Sequence, residues 1–286
     1  MTLLVTGAAG FVGAAVCRLA RQAGRDVREA TRASVGEIGP DTDWGAALEG
    51  VDAVIHCAAR AHVLADTADD PMAVFRSVNR DGTLALARAA VAAGVRRMVF
   101  VSSIGVNGAR TQGRPFRADD EPAPHSPYAV AKFEAEQGLA KLDGIETVIV
   151  RPPLVIGPGA KGNIGLIAGL LRRGIPLPFG AITGNRRDLV SLEVLAKFLL
   201  LVADHPNAAG KTFLVSDGIT RSTADLVRAV AAAEGHPARL LPIPAAALDL
   251  ALRLTGRTAM REQLLGDLEV DIGATRSELD WTPQAR

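Results

Sequence analysis

Tyrosine is almost missing from this sequence: Tyr128 is the single one among 286 residues. Lysine is nearly as scarce, five residues against 27 arginines. Cysteine is limited to Cys17 and Cys57, which excludes a disulfide scaffold, and their spacing does not suit zinc. Cys17 falls in an amphipathic helical pattern, so two buried thiols in a reducing compartment are expected. No apolar run reaches the roughly 18 to 20 residues that a membrane-spanning helix needs. The start, "MTLLVTGAAG", enters a strand and a glycine turn without a charged leader. The net charge of +1 supplies no field for nucleic acid or an anionic membrane. A cytoplasmic protein without nucleic-acid partner or membrane insertion is expected.

What is present is a regular alternation. Apolar runs of strand length, "TLLVT" (2–6), "DVREATR" (26–32), "DAVIHCAA" (52–59), "RMVFVSS" (97–103) and "IETVIVRPP" (145–153), alternate with helix-period segments at 10–24, 71–93 and 126–144. Strand, helix, strand in repetition specifies an α/β fold, a doubly wound parallel sheet covered on both faces. Asp70-Pro71 and Ser126-Pro127 read as an N-cap followed by proline at the first helical position, with Gly94 and Asp143-Gly144 as the exits. After Pro152-Pro153 the chain turns rich in Gly and Pro, which marks substrate-facing loops. Further helices are expected near 163–173, 191–204 and 222–234, the last capped by Ser222 or Thr223, with strands at "TFLVS" (212–216) and "RLLPIP" (239–244). The division expected is 1–153 for a dinucleotide-binding core and 154–286 mainly for substrate, with elements at about 188–216 returning to the core.

"VTGAAGFVG" sets Gly7, Gly10 and Gly13 between the first strand and the first helix. Glycine there permits a tight turn, lets backbone approach a pyrophosphate, and lets helix pack on strand, while the helix N-terminus favours the anion. The spacing GxxGxxG differs from the commoner GxGxxG. Folds of this kind that use NAD usually end the second strand in an acid that holds the ribose hydroxyls. Here that strand ends in Thr31 and Arg32, and a guanidinium suits a 2′-phosphate, so NADP is slightly favoured over NAD.

"TGAAGFVG", "DAVIHCAA", "SVNRDGT" (77–83), "VFVSSIGVNG" (99–108), "YAVAK" (128–132), "RPPLVIGPG" (151–159) and "RDLVSLEVLA" (187–196) follow one another in an order that resembles the extended short-chain dehydrogenase/reductase family. Within it the chain is similar to the nucleotide-sugar epimerase/dehydratase branch. "TFLVSDG" and "LDWTP" resemble the subgroup of UDP-glucose 4-epimerase-like proteins, which includes UDP-linked 4-keto-6-deoxy-N-acetylhexosamine reductases. The resemblance implies a Rossmann-type sheet with a smaller C-terminal substrate part and a homodimer acting on a UDP-sugar. It implies that Gly7, Gly10, Phe11, Val12 and Gly13 bind the cofactor pyrophosphate, that Ala58 and Ala59 line the cofactor, and that Asn79 supports the site. It assigns Ser103, Tyr128 and Lys132 as the catalytic set, with Tyr128 and Lys132 also touching cofactor, and Arg187 and Asn163 as diphosphate contacts. Ser103 matches the family serine rather than Ser102. Pro152, Pro153 and Leu154 stand where many 4-epimerases carry an aromatic pair and asparagine, so those contacts do not carry over. Relatives usually continue with a further helix after "LDWTPQAR".

A free phenol titrates near pH 10. Tyr128 and Lys132 lie four apart on one helix face, and an ammonium within about 4–6 Å lowers a phenol's pKa by about 1–3 units. Tyr128 then exchanges a proton with a sugar hydroxyl, and Ser103 fixes the oxygen. His56, His62 and His125 have no partners at metal spacing, so no metal is expected. The missing asparagine at 154 and the missing acid at Thr31 tilt the expectation to a 4-ketoreductase over a UDP-hexose 4-epimerase with retained NAD. A non-catalytic dinucleotide sensor is the rival class, although such sensors tend to lose the tyrosine or lysine.

Overall fold

The first strand is apolar on both sides. In β1 (Thr2–Thr6), Leu3 and Val5 are fully buried on one face of the sheet and Leu4 on the other. The computed structural model describes residues 1–61, 70–160 and 162–284. After β1 come α1 (Phe11–Gln22), β2 (Asp26–Ala30), the single turns α2 (Arg32–Val35) and α3 (Gly45–Leu48), and β3 (Ala53–His56). Next are α4 (Pro71–Arg76), a π-helical turn over Ser77–Asp81, α5 (Gly82–Ala92), β4 (Arg97–Val101), α6 (Pro127–Leu139) and β5 (Glu146–Arg151). Asp70 and Ser126 cap α4 and α6 by accepting the amides of Ala73 and Ala129 at 3.0 and 3.2 Å, each followed by its proline. Gly94, at φ +72°, closes α5.

The sheet is wholly parallel, in the order β2-β1-β3-β4-β5-β8, where β8 is Thr212–Leu214. The chain leaves β1 toward β2 and then crosses to β3 on the other side. The crevice beyond the carboxyl ends of β1 and β3 is therefore the switch point, where open sheets of this kind take ligands. One face packs α1 and α8 (Leu192–Val202) over Leu3, Val5, Ile55, Val99 and Val150, and the other packs α5 and α6 over Leu4, Val54, Met98 and Phe100. Burying each Leu, Ile, Val or Phe contributes about 1.5–3 kcal/mol.

Beyond β5, the two-stranded sheet of β6 (Leu154–Ile156) and β7 (Leu189–Ser191) opens a second lobe with its own core. It is built with α7 (Gly162–Arg172) and α9 (Thr223–Ala233), the latter capped by Ser222. Three helices follow that the sequence pattern did not announce: α10 (Ala245–Leu254), α11 (Thr258–Leu265) and α12 (Gly273–Leu279). The strand expected at 239–244 forms only a single bridge, Leu177 with Leu240. Pro242 and Pro244 lack the amide hydrogens a ladder needs. Cys57 is half-buried, not buried as expected, because it begins the loop beyond β3, whereas Cys17 is buried in α1; both are free thiols. Among the described residues no helix is long and apolar enough to cross a membrane.

Candidate active site

The glycine turn is closed by sterics. Gly7 has φ +64°, and a Cβ there would lie 2.9 Å from the Ala58 backbone. A Cβ on Gly13 would lie 2.2 Å from the Gly7 carbonyl oxygen, and one on Gly10 would lie 2.9 Å from it. Gly10 caps α1 without a side chain, and the first turn holds no acid. The amides of Phe11, Val12 and Gly13 have no carbonyl partner within the helix, so this end presents free donors and the positive end of the dipole to an anion. The loop with Ala58 and Ala59 faces that turn. Asn79 is buried in the π-helical turn and clamps this loop, accepting from the Arg60 amide at 2.8 Å and donating to the Arg60 carbonyl at 3.0 Å. These residues fit a dinucleotide pyrophosphate.

Arg32 opens α2 just past the tip of β2, exposed and paired with Glu37 at 2.9 Å. Its neighbour Thr31 is taken up by a capping box with Ser34.

At the end of β4, Ser102 and Ser103 have different fates. Ser102 is buried and donates to Glu136, whose carboxylate is held by Arg151 in a two-pronged pair at 2.6 and 3.0 Å. Arg151 also donates to Asn107 at 3.1 Å. The Ser103 hydroxyl accepts the Gly105 amide at 3.1 Å, which leaves its proton to give. A Cβ on Gly105 would touch both Ser103 Oγ, at 3.3 Å, and Ala129 Cβ, at 3.4 Å, so the serine and the first turn of α6 meet there.

Tyr128 and Lys132 share one face of α6. Tyr128 is half-buried with its ring edge-on to Phe75 at 6.3 Å. Lys132 is 1% exposed, donates to the Val101 carbonyl at 2.8 Å, and holds its ammonium 4.3 Å from the Phe100 ring centroid and 5.9 Å from that of Tyr128. Burial pushes the Tyr128 phenol up to about 12. Burial pulls Lys132 down to about 7, opposed by Cys57 and Glu136. In the free protein desolvation therefore outweighs the expected lowering of the phenol, because the ammonium is directed at Val101. A phenolate here needs further positive charge.

Arg187 and Asn163 lie in the second lobe, and both are tied to the segment around α11. Arg187 is 8% exposed, donates to the Gly266 carbonyl at 2.9 Å, and forms no ion pair among the described residues. Burial pulls its guanidinium below the usual range, with Asp267 opposing. Asn163 is exposed and donates to Gln263. Leu268 pairs with the Arg186–Asp188 stretch through amides at 2.8 Å, so residues reached 79 positions later hold the arginine in place. Sequence reasoning missed this strap, and it missed the Glu136–Arg151 pair, whose partners are 15 residues apart. His62 lies outside the described residues. Among the described residues no cluster of His, Cys, Asp or Glu could hold a metal.

A glycine turn at the switch point, a loop clamped against it, and a tyrosine and lysine on the neighbouring helix define a dinucleotide-dependent α/β enzyme of the extended short-chain dehydrogenase/reductase type. Residues 3–216 match the model of the NAD dependent epimerase/dehydratase family, and the chain belongs to that family. It is 41% identical over 297 aligned residues to a UDP-glucose 4-epimerase of Vibrio cholerae, covering 99% of this chain and 90% of the relative. Its fold is shared by the UDP-glucose 4-epimerase of Thermotoga maritima solved with UDP-glucose, at TM-score 0.76 and 21% identity over 100% of this chain and 94% of that one. The UDP-glucuronic acid 4-epimerase of Bacillus cereus solved with NAD gives TM-score 0.78 and 20% identity over 100% and 92%.

Proposed function

We propose that this chain is a UDP-hexose 4-epimerase that retains NAD, with Ser103, Tyr128 and Lys132 as its catalytic set. The observation that carries the reading is the pairing of Tyr128 and Lys132 on α6 beside Ser103, in a chain 41% identical over nearly its whole length to a relative of that activity. That similarity moves the balance away from the 4-ketoreductase expected from sequence. Residues 1–153 carry the cofactor, held by Gly7, Gly10, Phe11, Val12, Gly13, Ala58 and Ala59, with Asn79 supporting the loop. Residues 154–286, apart from the elements that return to the sheet, carry the substrate. The buried Arg187, free of carboxylate partners among the described residues, suits one bidentate diphosphate contact, and Asn163 a second.

A dinucleotide held by these residues would supply the hydride acceptor, and then the donor, for sugar C4. Tyr128 takes the C4 hydroxyl proton as the carbonyl forms and gives it back on reduction. Ser103 donates to the same oxygen and fixes its angle. Lys132, 5.9 Å from the Tyr128 ring centroid, would contact the cofactor, and its charge together with that of the oxidised cofactor would favour the phenolate.

A second reading, a 4-ketoreductase drawing on NADPH, is favoured by one observation: Thr31 and the exposed Arg32 stand at the tip of β2 where an acid would hold the ribose hydroxyls. Mass spectrometry of the protein as purified separates the two. Retained NAD supports the epimerase; an empty site that takes NADPH and reduces a UDP-4-keto-6-deoxy sugar supports the reductase. The family resemblance supports a homodimer, which light scattering tests.

A further inference from the structure

His56, the last residue of β3, is 1% exposed, and the proton exchange above makes no use of it. Its Nδ1 lies 2.6 Å from Thr6 Oγ1 and its Nε2 lies 3.0 Å from Thr83 Oγ1. The hydrogens of this chain are fixed by its ends. Thr83 donates its own proton to the Asn79 carbonyl at 2.8 Å, so it must accept from Nε2–H. Burial, with Lys132 adding to it, pulls His56 down to about 3, so the ring is neutral and carries one proton. Nδ1 therefore accepts from Thr6, and the Thr6 oxygen in turn accepts the Ala58 amide at 3.2 Å. A neutral imidazole supplies a donor and an acceptor on opposite sides of one rigid ring, and this ring is further stacked on Phe100 at 5.9 Å and 19°.

The two arms of the chain reach both ends of the same loop. One runs from His56 through Thr6 to the amide of Ala58, whose backbone abuts the Gly7 turn. The other runs through Thr83 to Asn79, whose side chain clamps the peptide of Arg60. We propose that His56 is a positioning residue that fixes the 57–60 loop against the glycine turn and so sets the protein's affinity for a nicotinamide dinucleotide. The inference rests on the reading that the dinucleotide binds at this turn.

The test is binding of NADH, with NADPH in parallel, to the full chain by nicotinamide fluorescence, well below each variant's melting temperature. Thr83→Val removes one arm at small steric cost and is expected to weaken binding about five- to tenfold. His56→Leu removes the ring that joins the two arms, leaving Thr6 and Thr83 with only their loop-side bonds, and is expected to weaken it by about tenfold or more, while His56→Gln, which can still reach Thr83, recovers part of the loss. Because both substitutions break one chain, the double variant is expected to lose less than the product of the two single losses, whereas independent losses would multiply. If His56→Leu does not fold, Thr83→Val carries the test. Binding by folded Thr83→Val within twofold of the parent, or losses that multiply in the double variant, would overturn the proposal and leave the site reading intact. A parent chain that binds neither dinucleotide would overturn both.

Discussion

Replacing Arg151 by Met tests how the end of β4 is fixed to α6. The Arg151 and Glu136 side chains are 6% and 4% exposed and meet at 2.6 Å. Without the guanidinium, the Glu136 carboxylate is left in the core with the Ser102 hydroxyl as its remaining partner. Removing one member of a buried pair costs about 3–5 kcal/mol, because the other charge stays buried and uncompensated. In a chain of this size each kcal/mol shifts the melting temperature by about 2–4 °C, so a drop of roughly 10 °C is expected by calorimetry. The double variant Glu136→Leu/Arg151→Met removes both charges and should melt above the single, since apolar replacement of a whole pair is often neutral. Melting of Arg151→Met within about 2 °C of the parent, with the double variant no higher, would refute the claim that this pair is fully desolvated.

Three further outcomes follow from the same geometry. Gly13→Ala drives a methyl to 2.2 Å from the Gly7 carbonyl, so the turn must open; a loss of about 1–3 kcal/mol in stability is expected by denaturant titration, together with loss of NADH binding. Lys132 titrates near 7 in the folded protein, well below its unfolded value, so between those limits the unfolded chain binds the extra proton and stability rises with pH. Its contribution to that slope is at most about 1.4 kcal/mol per pH unit, and Lys132→Met should flatten the parent's melting curve against pH over 7 to 9. Arg187→Met should raise KM for a UDP-sugar at least tenfold and leave NADH affinity within twofold, measured by steady-state kinetics and fluorescence.

The sheet was legible because its central strands are largely buried on both faces, which writes them as apolar stretches such as "MVFV" and "VIV". Capping made α4 and α6 legible as well, since Asp70-Pro71 and Ser126-Pro127 act locally. The four-residue spacing of Tyr128 and Lys132 places them on one helix face whatever surrounds them. Other features depend on distant partners and leave no local mark. The three-residue strands β6 and β7 are too short to show a period. In α10, Leu250 and Leu254 are 57% and 79% exposed, so its apolar residues trace no buried stripe. The strap that holds Arg187, and the pair that takes Ser102 out of play, join residues that only the fold brings together. The sign of the Tyr128 shift was also hidden, because the direction of the Lys132 ammonium is set by the Val101 carbonyl.

In the proposed reaction Tyr128 moves a proton at C4 of a UDP-hexose. Incubation of the purified chain with NAD and UDP-galactose, followed by proton NMR of the sugar anomeric signals, tests it most directly. UDP-glucose is expected to appear with the parent, and Tyr128→Phe, folded and still binding NADH, to form it about a hundred- to ten-thousandfold more slowly. No UDP-glucose from the parent, or equal turnover by Tyr128→Phe, would contradict it.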